Sequence, residues 1–357
     1  MIDLSKEKYE ILFEKKKDHF SNIFNDATII DFFSSPFRAY RHRAEFGVIE
    51  VNKKLFYSMT VDGKKQKIHS FPMASEKIQS LMEPLISKIN KNLVISEKLF
   101  QIEFQSSRAE EIMITLIYHK FIDEYWEYHA SEIASELGIS IIGRSKNQKV
   151  IIGKDFVKET YNFSKERYEL NQFEQCFSQT NPFICDDMIN WVYDNCSPSN
   201  DVMELHCGQG TFTILLSNLY RKVLATENSR PSIYALKENI KINNKENIYF
   251  GRLSGKETIE AFTKKRTFRR LKDIDLEEFN LDTIFLDPPR EGLDQFTKDA
   301  LINFDNVIYL SCGFESFKND IQDLENTHEI EKLAMFDQFP YTDHIESGAI
   351  LKKIAQK

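Results

Sequence analysis

The sequence predicts an α/β protein in two parts, an α+β region over residues 1–181 and an open, mostly parallel sheet with helices over residues 182–357. A turn, Cys207-Gly208-Gln209-Gly210, joins the short apolar run at residues 202–205 to a helix that opens at Thr211. Strand and helix patterns then alternate as in βαβ units. The length of 357 residues also suits two domains.

The elements of the first part follow from periodicity, alternation and turn residues. We expect a helix over residues 5–24, strands from 41 to 68 around a turn at Asp62-Gly63, a helix near 75–92, strands over 99–104 and 111–118, a helix over 123–137, and strands over 139–142 and 150–152. This mixture predicts an α+β domain whose strand order the sequence leaves open.

The second part begins near Asn181-Pro182 with a helix to about residue 195 and a polar linker over residues 197–200. After the glycine turn we expect strands over residues 222–227, 247–252, 283–287 and 306–312, with helices between them such as 230–243 and 295–303. The last apolar runs, 330–336 and 347–351, have no convincing helix between them. They predict an antiparallel pair at the end of a parallel sheet.

Composition limits the class of protein. Apolar residues make up 41% and charged residues 29% of the chain, and nowhere do about 18 apolar residues follow one another. The N-terminus lacks the apolar segment of a secretory signal. Five cysteines, without a C-x-x-C pair, indicate neither a disulfide framework nor a metal site. We therefore expect a soluble, cytoplasmic globular protein without a metal or a membrane span.

For the question of a nucleic-acid partner, the clustering of basic residues is more informative than the net charge of −8. Residues 36–70 contain eight Lys or Arg against three acids, and six of the nine residues from 264 to 272 are basic. Each cluster is either a solvated surface or a phosphate-binding surface.

The glycine turn indicates a nucleotide-like ligand at the carboxyl end of a strand. A dinucleotide fingerprint requires a third glycine where this chain has Thr213, and it does not include an acid at Glu204. Glu227, at the end of the next strand, suits a ribose diol. This pattern resembles the S-adenosylmethionine (SAM) site of the Rossmann-like methyltransferases. A plain strand–helix turn without a ligand remains open.

Reactive side chains follow the later strands. Asp287 comes directly before Pro288-Pro289-Arg290, and Cys312 ends the next strand. The cysteine is either a small buried side chain or a nucleophile near a helix N-terminus. His344 and Glu346 lie two residues apart, which predicts that they share one side of an extended segment.

Taken together, these motifs resemble those of the RNA uracil-C5 methyltransferases. The motifs that carry the resemblance are Phe177-Ser178-Gln179-Thr180-Asn181, the Glu204 to Gly210 turn, Asp287-Pro288-Pro289-Arg290, Ser311-Cys312 and His344-Ile345-Glu346. Tyr40 to Phe46, Ser70-Phe71-Pro72, Leu99 to Ile102 and Phe336 to Thr342 resemble the tRNA members that act on the T-loop. The chain differs at Gly313-Phe314, where Asn-Pro is common, and at His206 and Thr211, where Tyr and Asn are commoner.

The resemblance implies the roles of the site residues. Cys312 matches the nucleophile that adds to C6 of uracil, and Glu346 matches the base that removes the C5 proton. The positions that match SAM contacts are Gln179, His206, Gly208, Gly210, Thr211, Glu227 and Asp287. Phe100 matches an aromatic side chain suited to stacking on a base, and we expect Arg41 and Arg43 to meet phosphates. The implied partner is the T-arm of tRNA, the implied cofactor is SAM, and we expect a monomer.

Other functions remain open at this point. The same chemistry on another RNA, ribosomal RNA or tmRNA, would use the same residues. A DNA cytosine-C5 methyltransferase would place its nucleophile after a proline, whereas Cys312 follows Ser311. A non-catalytic RNA-binding protein would need the basic clusters but neither Cys312 nor Glu346.

Overall fold

A computed structural model describes residues 4–25, 29–61, 63–196 and 200–355. Asp62 of the predicted turn and residues 197–199 of the predicted linker lie outside them. The α-helices in this part are α1 (Lys6–Ile23), α2 (Glu76–Lys91), α3 (Leu93–Ser96), α4 (Glu124–Leu137), α5 (Pro182–Asn195), α6 (Thr211–Leu219), α7 (Arg230–Ile242), α8 (Gly255–Phe262), α9 (Gln295–Ala300) and α10 (Phe314–Leu324).

The strands form two large sheets and a hairpin. They are β1 (Ile30–Phe33), β2 (Arg43–Val51), β3 (Lys54–Val61), β4 (Lys64–Ile68), β5 (Leu99–Ser106), β6 (Ile112–Tyr118), β7 (Ser140–Ser145), β8 (Gln148–Ile152), β9 (Phe156–Phe163), β10 (Glu166–Phe173), β11 (Asp201–Leu205), β12 (Val223–Thr226), β13 (Ile248–Gly251), β14 (Leu281–Leu286), β15 (Asn306–Ser311), β16 (His328–Phe336) and β17 (Glu346–Lys353). The elements predicted from the sequence are all present with small shifts at their ends.

The first sheet has the strand order β4-β3-β2-β5-β6-β7-β8 within the described residues. Its neighbours are antiparallel except β6 and β7, which are parallel because α4 connects them. Helix α2 begins after Ser75, whose hydroxyl accepts from the Ile78 N–H, and α4 begins after Asp123, which accepts from the Trp126 N–H. Both helices bury an apolar face in the core beneath this sheet. This is the α+β region that the sequence predicts.

The second sheet has the order β1-β16-β17-β15-β14-β11-β12-β13 in the described part of the chain. From β15 to β13 its strands are parallel, and β17 is antiparallel to both β15 and β16. The predicted parallel sheet with a terminal antiparallel pair is therefore confirmed. The carboxyl ends of β11, β12, β14 and β15 meet at one edge, which we call the active edge.

The start of the chain packs on the second sheet, not the first. Strand β1 pairs in parallel with β16, from Ile30 beside Leu333 to Phe33 beside Phe336. In α1, Phe20 is fully buried in the core of the second sheet. The domain boundary at residue 181 stays a prediction. Helix α1 and strand β1 precede residue 181 in the sequence, but they pack with the second sheet, whose other strands all follow it. Local periodicity could not indicate this, because the pairing partner of β1 is distant in the sequence.

The β9–β10 hairpin and helix α10 were not among the elements named from the sequence. The antiparallel hairpin of β9 and β10 packs against α5 and α7. Its alternation is hard to see because Glu159 occupies a buried position, where it is paired with Arg108 at 2.9 Å. Helix α10 follows Gly313 directly and buries Phe317 and Ile321. No helix in the described residues is both long and apolar enough to cross a membrane.

Candidate active site

Strand register brings Cys312 and Glu346 together at the active edge. Ser311, the last residue of β15, pairs with Ser347 of the antiparallel β17. The next residues outward are therefore Cys312 and Glu346. In the parallel neighbour β14, Leu286 pairs with Tyr309, so Asp287 follows at the level of Leu310, two residues before Cys312. The structure thus collects three of the predicted site residues around one spot.

The charges around this spot act on one another. Burial raises the pKa of the Glu346 carboxyl to about 8, with a further contribution from Asp287, while Arg290 opposes the shift. Burial also raises the pKa of Asp287 to about 7. The pKa of the Cys312 thiol is raised to about 11, first by burial and then by the charges of Glu346 and Asp287, while Arg290 lowers it. Perturbed groups of this kind are typical of functional sites.

Arg290 is a site residue that the sequence indicated only as part of a motif. Its charge and a side-chain hydrogen bond favour the Cys312 thiolate. Its carbonyl oxygen accepts from the Ser316 hydroxyl at 2.8 Å, which joins the segment after β14 to the start of α10. The position of Arg290 directly after two prolines was the signal that could have singled it out.

The structure explains why Gly313 and Phe314 stand where the family commonly has Asn-Pro. A Cβ atom on Gly313 would overlap the carbonyl oxygen of Arg290, so this close approach requires glycine. The ring of Phe314 packs against α1, with ring centroids 5.6 Å from Phe20 and 6.3 Å from Phe24. Helix α1 therefore supports the backbone that carries Cys312.

The glycine turn after β11 has the conformation expected of a ligand-binding turn. His206, Gly208 and Gly210 have φ values of 60°, 56° and 99°. A Cβ on Gly208 would meet nothing within 4 Å, so the space above the turn is open. Burial lowers the pKa of His206, which keeps its ring neutral near pH 7. The turn leads into α6 at Thr211.

Glu227 lies beside the turn, as predicted. Its Oε2 accepts from the Gly208 N–H at 3.1 Å and its Oε1 accepts from the Ser229 N–H at 2.7 Å. These bonds fix the carboxylate. Each carboxylate oxygen can accept a second hydrogen bond, so Glu227 can still receive a diol.

Two buried polar atoms beside the turn lack hydrogen-bond partners among the described residues, Glu204 Oε2 and Thr213 Oγ1. Burial raises the pKa of Glu204 to about 8, the neighbouring Thr213 side chain opposes this shift, and repulsion from Asp287 and Glu227 adds to it. Buried polar atoms without partners are rare and indicate a ligand or water at the site.

Gln179 is buried and contacts Gln338, which follows the carboxyl end of β16. Its Oε1 accepts from Gln338 Nε2 at 2.5 Å. Gln338, in the loop between β16 and β17, belongs to the Phe336 to Thr342 motif, but no role was predicted for it. Its Oε1 has no hydrogen-bond partner within the described residues, so this oxygen can accept from a ligand.

Phe100 lies on the first sheet, apart from the active edge. Its ring stacks on His119, with centroids 4.5 Å apart and an angle of 19° between the planes. Lys65 Nζ lies 5.9 Å from the Phe100 centroid. Phe100 is 42% exposed, so an aromatic pair with a nearby cation faces solvent. No local pattern in the sequence pointed to His119, which lies on a different part of the chain.

Arg41 and Arg43 line a cavity of about 420 Å³ that also contains Phe177 and Ser178. Arg43 is engaged within the protein, since it donates to the Cys176 carbonyl oxygen at 2.8 Å and to that of Glu174 at 3.4 Å. Arg41 Nε has no hydrogen-bond partner in the described part of the chain. Arg41 is thus the better placed of the two for a phosphate, and the role of each stays a prediction.

The second basic cluster is partly neutralised. Lys264 pairs with Glu277 at 2.8 Å and Arg270 with Glu257 at 2.8 Å. Arg270 also donates to the Arg252 carbonyl oxygen, which holds this segment near the carboxyl end of β13.

His344 and Glu346 do not share one environment, contrary to the prediction. His344 is exposed, while Glu346 is buried. Strand β17 begins only at Glu346, so His344 lies before the extended segment to which the expected alternation applies.

Among the described residues, no group of three or more His, Cys, Asp or Glu side chains is arranged to hold a metal ion.

The family model described as tRNA (Uracil-5-)-methyltransferase matches residues 8–354. A tRNA/tmRNA (uracil-C(5))-methyltransferase of Aliarcobacter butzleri is 43% identical over 348 residues, which cover 96% of this chain and 92% of the relative. One of the same name from Saccharophagus degradans is 41% identical, over 94% of this chain and 93% of its own.

A solved structure has a similar fold. It is a Pyrococcus abyssi tRNA (uracil-54, C5)-methyltransferase in complex with S-adenosyl-L-homocysteine, with a TM-score of 0.74 and 20% identity. The similarity covers 96% of this chain and 83% of the other. At this identity the match supports the fold, which agrees with the predicted α/β architecture.

Proposed function

The chain belongs to the tRNA (uracil-5-)-methyltransferase family, and we propose that it transfers a methyl group from SAM to C5 of a tRNA uridine. The observation that carries this proposal is the meeting of Cys312, Glu346 and Asp287 at the active edge. The family supplies the reaction, and the geometry supplies a nucleophile and a base within one site.

The residues around the glycine turn fit SAM. Glu227 offers carboxylate oxygens to a ribose diol, Gly208 leaves open space, and Glu204 Oε2 lacks a partner among the described residues. When bound, SAM supplies an electrophilic methyl group. We assign the remaining contacts to Gln179, His206, Gly210, Thr211 and Asp287, as the motifs imply.

Uracil C5 needs activation before it can accept a methyl group. In our proposal the Cys312 thiol first loses its proton to solvent, which the charge of Arg290 favours. The thiolate adds to C6, and the electron pair of the C5–C6 double bond moves to form an enolate. C5 then takes the methyl group, and the bond between that methyl group and the SAM sulfur breaks with its electron pair left on the sulfur. Glu346 removes the C5 proton, the C5–C6 double bond re-forms, and the Cys312 sulfur leaves with its electron pair. The raised pKa of Glu346, about 8, makes its ionised carboxylate a stronger base for the C5 proton than an ordinary glutamate.

We further propose that the target uridine lies in the tRNA T-loop, at position 54. The similar Pyrococcus abyssi protein is a uracil-54 methyltransferase, and the relatives are named for tRNA and tmRNA. The exposed Phe100–His119 pair is suited to stacking on an unpaired base of a loop. Lys65 of β4 supplies positive charge beside this pair, and Arg41 supplies it at the cavity that it lines with Arg43.

Methyl transfer from labelled SAM into RNA transcripts tests this function. We expect label in a tRNA transcript that carries the T-loop uridine and none when that uridine is replaced by cytidine. A tmRNA transcript with the same loop tests the second substrate named for the relatives. Equal labelling of the uridine and cytidine transcripts would contradict the proposed target.

A further inference from the structure

A buried lysine of α1 contacts the loop that leads to Glu346. This loop, residues 337–345, connects β16 to β17. Lys16 Nζ lies 2.7 Å from Asp337 Oδ1, 3.1 Å from the Phe339 carbonyl oxygen and 2.8 Å from the His344 carbonyl oxygen. Lys16 and Asp337 are both buried.

The contacts of Lys16 span the loop from end to end. An ammonium group has three N–H donors, and these three acceptors, all in the described residues, can use one each. Asp337 is the first residue of the loop, and His344 precedes Glu346 by two. A single nitrogen therefore ties both ends of the loop together and sets the backbone position from which Glu346 projects.

Other N-terminal groups hold the middle of the same loop. The Tyr40 hydroxyl donates to the Pro340 carbonyl oxygen at 3.2 Å, and the Tyr341 hydroxyl donates to that of Phe37 at 2.9 Å. The path of the loop is thus set largely by the N-terminal segment of the chain. Lys16 is the member of this set whose contact lies nearest to Glu346 along the sequence.

We propose that Lys16 is a positioning residue for Glu346 in the step that releases the methylated RNA. This inference rests on the proposed function, in which Glu346 takes the C5 proton while the bond from Cys312 Sγ to C6 breaks. Cys312 lies between β15 and α10, and the hydrogen bonds of Lys16 go to neither. Loss of Lys16 should therefore slow proton removal more than it slows addition and methyl transfer.

The test is a single-turnover reaction with methyl-labelled SAM and tRNA, stopped in denaturant, in which labelled covalent adduct and labelled free tRNA are separated. In Lys16→Met we expect the ratio of adduct to free product to rise at least about fivefold, while label enters RNA at a rate within about threefold of wild type. Lys15→Met, on the exposed side of the same helix, should keep the wild-type ratio. A fall in total label at an unchanged ratio would show a structural role only and overturn the proposal.

A second variant guards against misfolding. Lys16→Met leaves the Asp337 carboxylate buried without its counterion, whereas Lys16→Met with Asp337→Asn removes both charges and should fold better. The double variant still lacks donors for the Phe339 and His344 carbonyls, so the raised ratio should persist. A wild-type ratio in the double variant would overturn the proposal.

The covalent step on which this inference rests can be measured separately from the effect of Lys16. Wild type mixed with tRNA that contains 5-fluorouridine should form a stable adduct. If it does not, the proposed covalent step fails and the role of Lys16 falls with it. If it does, and only the ratio in the Lys16 variants is normal, the failure concerns Lys16 alone.

Discussion

Burial changes the pKa values of individual carboxyl groups at the active edge and so their protonation states. Glu204, Glu346 and Asp287 all have raised pKa values, and desolvation is the main cause in each case. Repulsion from neighbouring carboxylates adds to the pKa shift of Glu204 and of Glu346. The site thus holds negative charge that is unfavourable until a ligand or a proton is bound.

Glu204 gives a prediction for stability. Its pKa is about 8 in the folded protein against 4.5 for an ordinary glutamate, so the folded state binds more protons between these values and stability falls as pH rises from about 4.5 to 8. Glu204→Gln removes this dependence. We expect the variant to gain stability over wild type above pH 8, by at most about 5 kcal/mol at about 1.4 kcal/mol for each pKa unit. Thermal unfolding without SAM at about pH 5 and about pH 8.5 measures it, and an equal gain at both values would contradict the assignment.

At the scale of elements, the positions of the side chains at the active edge depend on contacts between the segments that follow β14, β15 and β16. The segment after β14 touches the start of α10 through the Arg290 carbonyl and Ser316, and Gly313 makes this approach possible. On the other side, α1 supports both the start of α10, through Phe314, and the loop before Glu346, through Lys16.

Gly313 provides a test of this arrangement. Gly313→Asn restores the residue common in the family, but its Cβ would overlap the Arg290 carbonyl oxygen. We expect a loss of stability of roughly 1–3 kcal/mol, as for other overpacked sites, and slower adduct formation with 5-fluorouridine tRNA. Glu315→Ala, at an exposed position two residues later, is the control. Wild-type stability and rate in Gly313→Asn would show that the contact is not restrictive.

At the scale of the whole molecule, the proposed RNA binding depends on where the basic residues cluster, and one cluster is the set of lysines on β4. Lys65 and Lys67 lie on one face of β4, and Lys65 is near Phe100. If this face meets RNA, replacing both lysines with Gln should reduce the slope of log affinity against log salt by roughly 1.5. Lys352→Gln with Lys353→Gln, at the opposite end of β17 from Glu346, should leave the slope unchanged. Equal slopes in the two double variants would place RNA elsewhere.

Most elements, and the approach of Asp287 and Cys312 to one edge, could be predicted from the sequence because both follow from local rules. Strand ends predicted by periodicity place Asp287 and Cys312 at one edge, since the carboxyl ends of parallel strands meet there. The docking of α1 and β1 on the second sheet, the Phe100–His119 stack and the contacts of Lys16 depend on pairings distant in sequence. No local pattern specifies them, so only the folded structure reveals them.

The measurement that tests the central claim most directly is covalent trapping on tRNA. Wild type with 5-fluorouridine in the T-loop should give a protein–RNA species that survives denaturing electrophoresis, because there is no C5 proton for Glu346 to remove. Glu346→Gln should accumulate the same species with ordinary uridine, and Cys312→Ala should form none and transfer no methyl group. Methylation of tRNA by Cys312→Ala, or the absence of trapping in wild type, would contradict the covalent mechanism.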